Sequence, residues 1–184
     1  LAVEEVNKAG GVLGRIVRLV EKDDQMKVDL AEAATKELIE QEKIDLLVGT
    51  LSAATAIAAN KVAKAAGIPF ICINQVNAIT DKENLGPYTF HEGFSAYMNS
   101  QLTGKWGMEH LGKRWFFMVP DYTWGYESYE SYQIVLKKLG GEDLGFAKIP
   151  LGAKEIDYAK HFPAILKLKP DILAVTNFGS DQIN

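Results

Sequence analysis

The sequence predicts an α/β protein with parallel sheets, arranged as two similarly wound lobes. Short apolar runs alternate with amphipathic segments along the 184 residues, and glycines separate many of them. Two segments, KIDLLVGTLSAATAI and KPDILAVTNFGSDQI, share one pattern: a lysine, an Asp-led apolar strand, a threonine and a small polar loop. Regular alternation of strand and helix favours parallel strands joined by right-handed crossovers.

The elements of the first lobe follow from periodicity and from helix-ending residues. LAVEEVNKAGG predicts a helix ended by glycines, RIVRLVEKD a strand, and KVDLAEAATKELIEQEK a helix with Leu30, Ala34 and Leu38 on one face. The almost wholly apolar IDLLVG is typical of a strand buried on both faces. SAATAIAANKVAKAAG predicts a helix between a Ser52 cap and a Gly67 stop, before the buried strand IPFICI.

The same alternation continues in the second half of the chain. After a polar stretch and the brief strand YTF, a long helix is predicted from about Ser95 to Leu111. WFFMV then predicts a strand, GYESYESYQIVLKKLGG a helix, and LGFAKIP another strand. YAKHFPAILKLK predicts a helical stretch kinked or started at Pro163, and DILAV predicts the last strand.

Composition and charge exclude several classes of function. The formal net charge is −4 and the 20 Lys and Arg residues are scattered, so a nucleic-acid or anionic-membrane surface is not expected. No apolar stretch approaches the roughly 18 residues of a membrane-spanning helix, and no export signal opens the chain. The single cysteine, Cys72, lies in an apolar run and is predicted to be a buried thiol. Small solutes remain the expected partners.

The glycine-rich stretch NKAGGVLGRIVRLV does not match a phosphate-binding loop. Such loops leave a strand and open a helix, so that the helix amino terminus faces the phosphate. Here Gly10 and Gly11 close a helix, Gly14 permits the following turn, and a predicted strand leads away. We therefore interpret these glycines as a structural turn.

Residues suited to catalysis or metal binding do not form a set. His91, His110 and His161 are far apart and lack metal-ligand spacing. The adjacent Asp23 and Asp24 are interpreted as turn residues, and no nucleophile elbow occurs. The sequence therefore predicts no catalytic residue, metal or cofactor, and indicates binding without turnover.

Polar and aromatic side chains cluster directly after four of the predicted strands. In open parallel sheets, ligands bind beyond the carboxyl ends of the strands, where helix amino termini present free N–H groups. The first two loops offer polar anchors and the last two offer aromatic covers, which suits a small solute with a polar end and an apolar body. The candidate side chains are Ser52, Thr55, Asn74, Gln75, Asn77, Tyr122, Trp124 and Phe178.

Six stretches together resemble a known family of receptors. In order, they are LAVEEVNKAGGVLGRIVRLVEKDDQ, IDLLVGTLSAAT, AKAAGIPFI, TFHEGFSAY, PDYTWGYE and PDILAVTNFGSD. They resemble the type I periplasmic binding proteins of the leucine/isoleucine/valine-binding kind, the solute receptors of ABC importers. The resemblance implies two Rossmann-like lobes that close by hinge motion, a periplasmic or extracytoplasmic location and an ABC permease as membrane partner. Residues 1–92 would be most of lobe one without its first strand, and residues 93–184 the first part of lobe two.

The resemblance also implies positions for the solute. Family members that bind amino acids hold the carboxylate at places that fall here on Ala53, Asn74 and Val76, and none of the three keeps the family's hydrogen-bonding side chain. The family's aromatic pocket residues of the second lobe correspond to Trp124 and Phe178, so both positions are also aromatic in this sequence. This departure favours an amide, urea or aromatic acid over an ordinary branched-chain amino acid.

Two classes of function remain open from the sequence. The first is the solute-binding receptor of an ABC importer, taking a small carboxylate or amide solute in a cleft between the lobes. The second is a ligand-sensing regulator or receptor domain that uses the same cleft. An enzyme with a Rossmann-like core is not favoured, because no set of catalytic residues is found.

Overall fold

Parallel β-sheets flanked by helices form the framework of the chain, which confirms the predicted fold class. The computed structural model describes residues 1–183, apart from the side chain of Ser180; Asn184, at the end of the second predicted lobe, lies outside the described residues. The first part of the chain contains α1 Ala2–Lys8, α2 Val28–Glu40, β1 Leu47–Gly49, α3 Ala53–Ala66, β2 Phe70–Cys72, a 3-10 helix Ala78–Thr80 and β3 Thr89–His91.

The second part of the chain repeats the alternation around a longer central strand. Pro163 lies in the first turn of its last α-helix, as predicted. The elements are α4 Ala96–His110, β4 Arg114–Pro120, α5 Thr123–Leu139, β5 Glu142–Ile149, α6 Glu155–Ala159, α7 Phe162–Leu168, β6 Ile172–Val175 and a 3-10 helix Gly179–Gln182.

Strand order brings the predicted binding loops together within each sheet. The first sheet has the order β1-β2-β3 and the second has the order β5-β4-β6, and all neighbours run parallel. Gly49 at the end of β1 lies opposite Cys72 at the end of β2. In the second sheet, Met118 of β4 lies opposite Val175, the last residue of β6. The loops that follow paired strands therefore start side by side.

Each sheet has its own apolar core. In the first, Leu38 of α2 and Ala56 of α3 pack in one cluster with Phe70 of β2. In the second, alternate residues of β4 enter two clusters: Phe117 packs with Leu136 of α5, and Met118 packs with Ile149 and Ile165 on the other face. The apolar run WFFMV is therefore buried on both faces, as its composition predicts.

The segment RIVRLVEKD is not a strand, and that prediction was wrong. Residues 16–24 form no ladder, and the nearby Val12 and Arg15 make only an isolated bridge. Strand β1 pairs on one edge only, and residues of β1 and of this segment both line a cavity of about 980 Å³. Ile16 and Val48 remain 70% and 56% exposed beside it. A strand requires a neighbouring backbone, which periodicity alone does not provide.

The glycine turn after α1 confirms the structural interpretation of NKAGGVLG. The helix ends at Lys8, and Gly10 and Gly11 follow with φ of +100° and +77°. A Cβ on Gly11 would lie 1.9 Å from the carbonyl oxygen of Arg15, so only glycine fits there. The chain then leaves this turn without opening a helix, and no phosphate cradle is formed.

None of the helices in residues 1–183 has both the length and the apolarity needed to cross a membrane.

Candidate functional site

Ser52 lies at the entrance of α3, where the loop after β1 turns into the helix. It occupies the predicted N-cap position with φ −81° and ψ 139°, but its hydroxyl makes no capping hydrogen bond. Ser52 and Ala53 are both half-buried. Thr55 is fully buried, and its hydroxyl lies 3.1 Å from the Ser52 carbonyl oxygen and 2.9 Å from the Thr50 hydroxyl. The Thr50 and Thr55 hydroxyls are therefore already paired, whereas the Ser52 hydroxyl is available to a solute.

Asn74 joins the loop after β2 to the loop after β1. Its amide nitrogen donates to the Ser52 carbonyl at 3.1 Å, and its amide oxygen accepts from the Val76 N–H at 2.9 Å. The Cys72 thiol also donates to this oxygen at 3.5 Å, and Asn74 is only 7% exposed. Val76 is 2% exposed. Both ends of the Asn74 amide are thus used in bracing the two loops.

We expect Asn74→Ala to lower the free energy of unfolding by about 1–3 kcal/mol, since it leaves the buried Val76 N–H without its acceptor and removes the bond between the two loops, although the Ser52 carbonyl still accepts from the Ala56 N–H. Urea unfolding followed by circular dichroism measures the change. Gln75→Ala is the matched control, because the neighbouring Gln75 is half-buried and its side chain makes no hydrogen bond to another described residue. Equal stability of the two variants would contradict the bracing role.

The second sheet presents aromatic side chains at its corresponding edge. Trp124, in the first turn of α5, is half-buried, and its indole N–H donates to the Thr176 carbonyl at 3.0 Å. Thr176 directly follows β6, so this bond ties the start of α5 to the β6 loop. Phe178, two residues further, is 64% exposed. The ring of Phe178 is therefore free to contact a solute.

Tyr122 lies beside a buried carboxylate that sequence reasoning missed. Asp181 is 5% exposed and accepts from the Gly152 N–H at 3.0 Å, while the Tyr158 hydroxyl donates to its backbone carbonyl. Burial, together with the negative charge of Asp181, raises the pKa of the Tyr122 phenol. Tyr122 is thus a neutral phenol near pH 7. An acidic residue next to glycine and serine normally indicates a solvated turn, so no sequence pattern predicts this burial.

Asn77 belongs to the same loop as Asn74 but contacts the second part of the chain. Its backbone N–H donates to the Glu127 carboxylate at 2.9 Å and its amide nitrogen donates to the Ser131 hydroxyl at 3.1 Å, both on α5. Its amide oxygen accepts from the Tyr97 N–H of α4 at 2.9 Å. The Asn77 amide is therefore occupied at both ends, and Glu127 is a second carboxylate that sequence reasoning missed.

Nothing in the described part of the chain suggests metal or nucleophile chemistry. Residues 1–183 contain no group of three or more His, Cys, Asp or Glu side chains placed to hold a metal ion. Cys72 is fully buried, as predicted, and burial raises the pKa of its thiol. Asp23 and Asp24 accept N–H bonds from residues two positions later, which confirms their interpretation as turn residues.

Two parallel sheets, with candidate polar anchors after one and aromatic side chains after the other, are typical of α/β proteins that bind small molecules at the carboxyl ends of their strands. The family described as periplasmic binding protein matches residues 1–184. The chain belongs to this family, which confirms the resemblance seen in the sequence and identifies it as part of a binding protein rather than an enzyme.

Individual relatives agree with this assignment. Leu/Ile/Val-binding protein homolog 7 of Brucella suis is 25% identical over 191 aligned positions, covering 100% of this chain and 47% of the relative. A solved periplasmic binding protein from Burkholderia mallei is 31% identical, with a TM-score of 0.89, over 100% of this chain and 49% of that one. An ABC-transporter solute-binding protein from R. palustris, solved in complex with benzoate, is 26% identical, with a TM-score of 0.86. The match covers 98% of this chain and 50% of that one. This chain spans about half the length of these relatives.

Proposed function

We propose that the chain is part of an extracytoplasmic receptor that binds a small solute for an ABC importer, with a membrane permease as its partner. The observation that carries the proposal is the placement of Ser52 and Gln75 at the carboxyl edge of one parallel sheet and of Trp124 and Phe178 at that of another. The match of a binding-protein family to residues 1–184 supports it. Contacts at Ala53, Thr55, Asn74, Val76 and Tyr122 stay predictions of the sequence; in this structure Thr55 and Val76 are buried and the Asn74 amide is paired within the protein.

We infer that the chain divides into lobe one, residues 1–92, and lobe two, residues 93–184, which close on the solute by hinge motion. Strand β3 ends at His91 and is the last strand of the first sheet, which supports a boundary at this point. Helix α4 begins at Ala96 and packs against α5 of the second sheet. The solute would then lie between the two carboxyl edges.

We propose an aromatic carboxylate as the solute class, in preference to a branched-chain amino acid. Ala53 has no hydrogen-bonding side chain, and the Asn74 amide is occupied by the brace. Ser52 and Gln75 remain to hold a carboxylate, and Trp124 and Phe178 offer rings to an apolar body. The solved relative in complex with benzoate supports this class. The Leu/Ile/Val-binding homolog makes leucine the competing solute to test.

A thermal-shift screen of the product of the complete reading frame tests the proposal. Benzoate, 4-hydroxybenzoate, benzamide, urea, leucine and valine form the panel. A ligand at about a hundredfold its dissociation constant should raise the free energy of unfolding by roughly 2.7 kcal/mol. We expect a shift with the aromatic acids. A shift with leucine alone would overturn the solute class, and no shift with any compound would overturn the receptor.

Trp124→Ala should weaken the affinity for the solute by about 1–3 kcal/mol, roughly 5- to 150-fold in Kd, because the variant removes a large aromatic contact. Isothermal titration calorimetry with the solute found in the screen measures the loss. Trp106→Ala is the matched control, since Trp106 is 54% exposed on α4 and stacks on His110. An unchanged affinity for Trp124→Ala would assign this side chain to packing alone.

A further inference from the structure

The loop after β2 is held on two sides by helices that belong with the second sheet. From α4, the Ala96 N–H donates to the Gln75 carbonyl at 3.0 Å and the Tyr97 N–H donates to the Asn77 side chain at 2.9 Å. From α5, Glu127 accepts from the Asn77 N–H at 2.9 Å. Gln75, whose side chain is one of the proposed anchors, thus lies in a loop whose backbone is fixed from outside its own sheet.

Glu127 is the unusual member of this contact, because its carboxyl group is partly buried without a cation beside it. The N–H groups of both Asn77 and Ala78 bond to it, at the start of the 3-10 helix Ala78–Thr80. The charged groups that act on it are Glu130 on its own helix and Asp81 beyond the 3-10 helix, and both are acidic. A carboxyl group placed here serves to accept the two backbone N–H bonds rather than to form an ion pair.

We propose that Glu127 is a positioning residue for solute binding: its carboxyl group holds the Asn77 and Ala78 N–H groups and thereby fixes the loop that presents Gln75. Ser131 supports the arrangement, since its hydroxyl accepts from the Asn77 amide at 3.1 Å and donates to the Glu127 carbonyl at 2.6 Å. The effect on the solute rests on the proposed function, whereas the effect on the loop does not.

Hydrogen exchange of individual backbone amides tests the contact in the absence of any solute. In Glu127→Ala, the Asn77 and Ala78 amides lose their acceptor and should exchange at least tenfold faster than in the wild type. Glu127→Gln keeps an acceptor oxygen and removes the buried charge, so exchange should stay within about threefold of the wild type. Glu130→Gln is the matched control, because Glu130 is exposed on the same helix and carries the same charge. Unchanged protection of both amides in Glu127→Ala would overturn the proposal.

Benzoate titration of the same four proteins tests the positioning role. Benzoate affinity should fall at least fivefold in Glu127→Ala and should be restored in Glu127→Gln, with Glu130→Gln close to the wild type. A loss of loop protection with unchanged benzoate affinity would reject Glu127 as a positioning residue while leaving the receptor intact. If the wild-type protein binds neither benzoate nor leucine, the proposed function fails, and the exchange experiment still decides whether Glu127 holds the loop.

The pH dependence gives a readout that simple packing would not show. Burial and the like charges of Glu130 and Asp81 raise the pKa of Glu127, and the two backbone N–H bonds only partly oppose the rise. Because the raised pKa belongs to the folded protein, the protonated carboxyl group stabilises the fold relative to the unfolded chain, and this contribution is lost as pH rises through the pKa. The free energy of unfolding of the wild type should therefore fall across this pH range, and Glu127→Gln should lack this step. Identical pH profiles for the two proteins would contradict the partly buried placement of the carboxyl group.

Discussion

Replacing Phe117 with alanine should lower the free energy of unfolding by about 3–5 kcal/mol, the largest loss we expect from a single truncation in this chain. Phe117 lies at the centre of β4 and is fully buried. Its ring packs among Trp115, Tyr129 and Tyr132, with ring centroids 5.9, 5.2 and 5.5 Å away. Alanine would lose both the buried area and these ring contacts. A cavity would remain, because the tightly packed neighbours cannot fill the space of the ring.

Equilibrium urea unfolding followed by circular dichroism measures this loss. Phe94→Ala is the matched control, because it removes the same atoms from a side chain that is 54% exposed. We expect the control to cost less than about 1 kcal/mol. If the two variants were equally stable, the aromatic cluster around β4 would not be the main core of the second sheet.

Replacing Gly125 with alanine should cost about 1–3 kcal/mol of stability and disturb the aromatic side of the proposed site. Gly125 is buried in the first turn of α5, and a Cβ there would lie 2.0 Å from the carbonyl oxygen of Pro120 and 2.9 Å from its Cδ. Backbone atoms cannot move aside as side chains do, so the start of α5 must shift away from the end of β4. That shift would strain the bond from Trp124 to the Thr176 carbonyl.

Thermal unfolding and the exchange rate of the Trp124 indole N–H together test this prediction. Gly104→Ala is a matched helical control, since the nearest atoms to a Cβ there belong to the side chains of Tyr132 and Val135 at 3.2 Å. We expect Gly125→Ala to unfold at a lower temperature and its indole proton to exchange faster, with both quantities near wild type in the control. A wild-type melting temperature for Gly125→Ala would show that the contact between α5 and β4 is looser than the structure describes.

Local patterns were sufficient for most of the helices and strands. The helix stop at Gly67 and the buried strand WFFMV depend on properties of a few neighbouring residues: a left-handed φ of +70° at the glycine, and an apolar run covered on both faces. The interpretation of Gly10 and Gly11 as a turn rested on the order of helix and strand-like segment along the chain. In each case the deciding interactions lie within a few residues.

Prediction failed where the deciding partner is distant in the sequence. RIVRLV has a suitable composition for a strand, but no strand pairs with it in the described residues, and Asn7 instead bonds to both the N–H and the carbonyl of Val17 at 2.8 Å. The predicted solute contacts remain proposals. The structure nevertheless shows that Asn74 and Asn77 use their amides within the protein, which their position after a strand could not reveal.

The sequence by itself determined the α/β class and the order of most elements, because these follow from side-chain periodicity and from turn residues. Only the tertiary structure decided which polar groups are already paired: Asn74 with the Ser52 loop, and Glu127 with the Asn77 loop 50 residues away. The physical reason is that a hydrogen bond depends on the position of both partners in space, whereas a sequence pattern describes each partner separately.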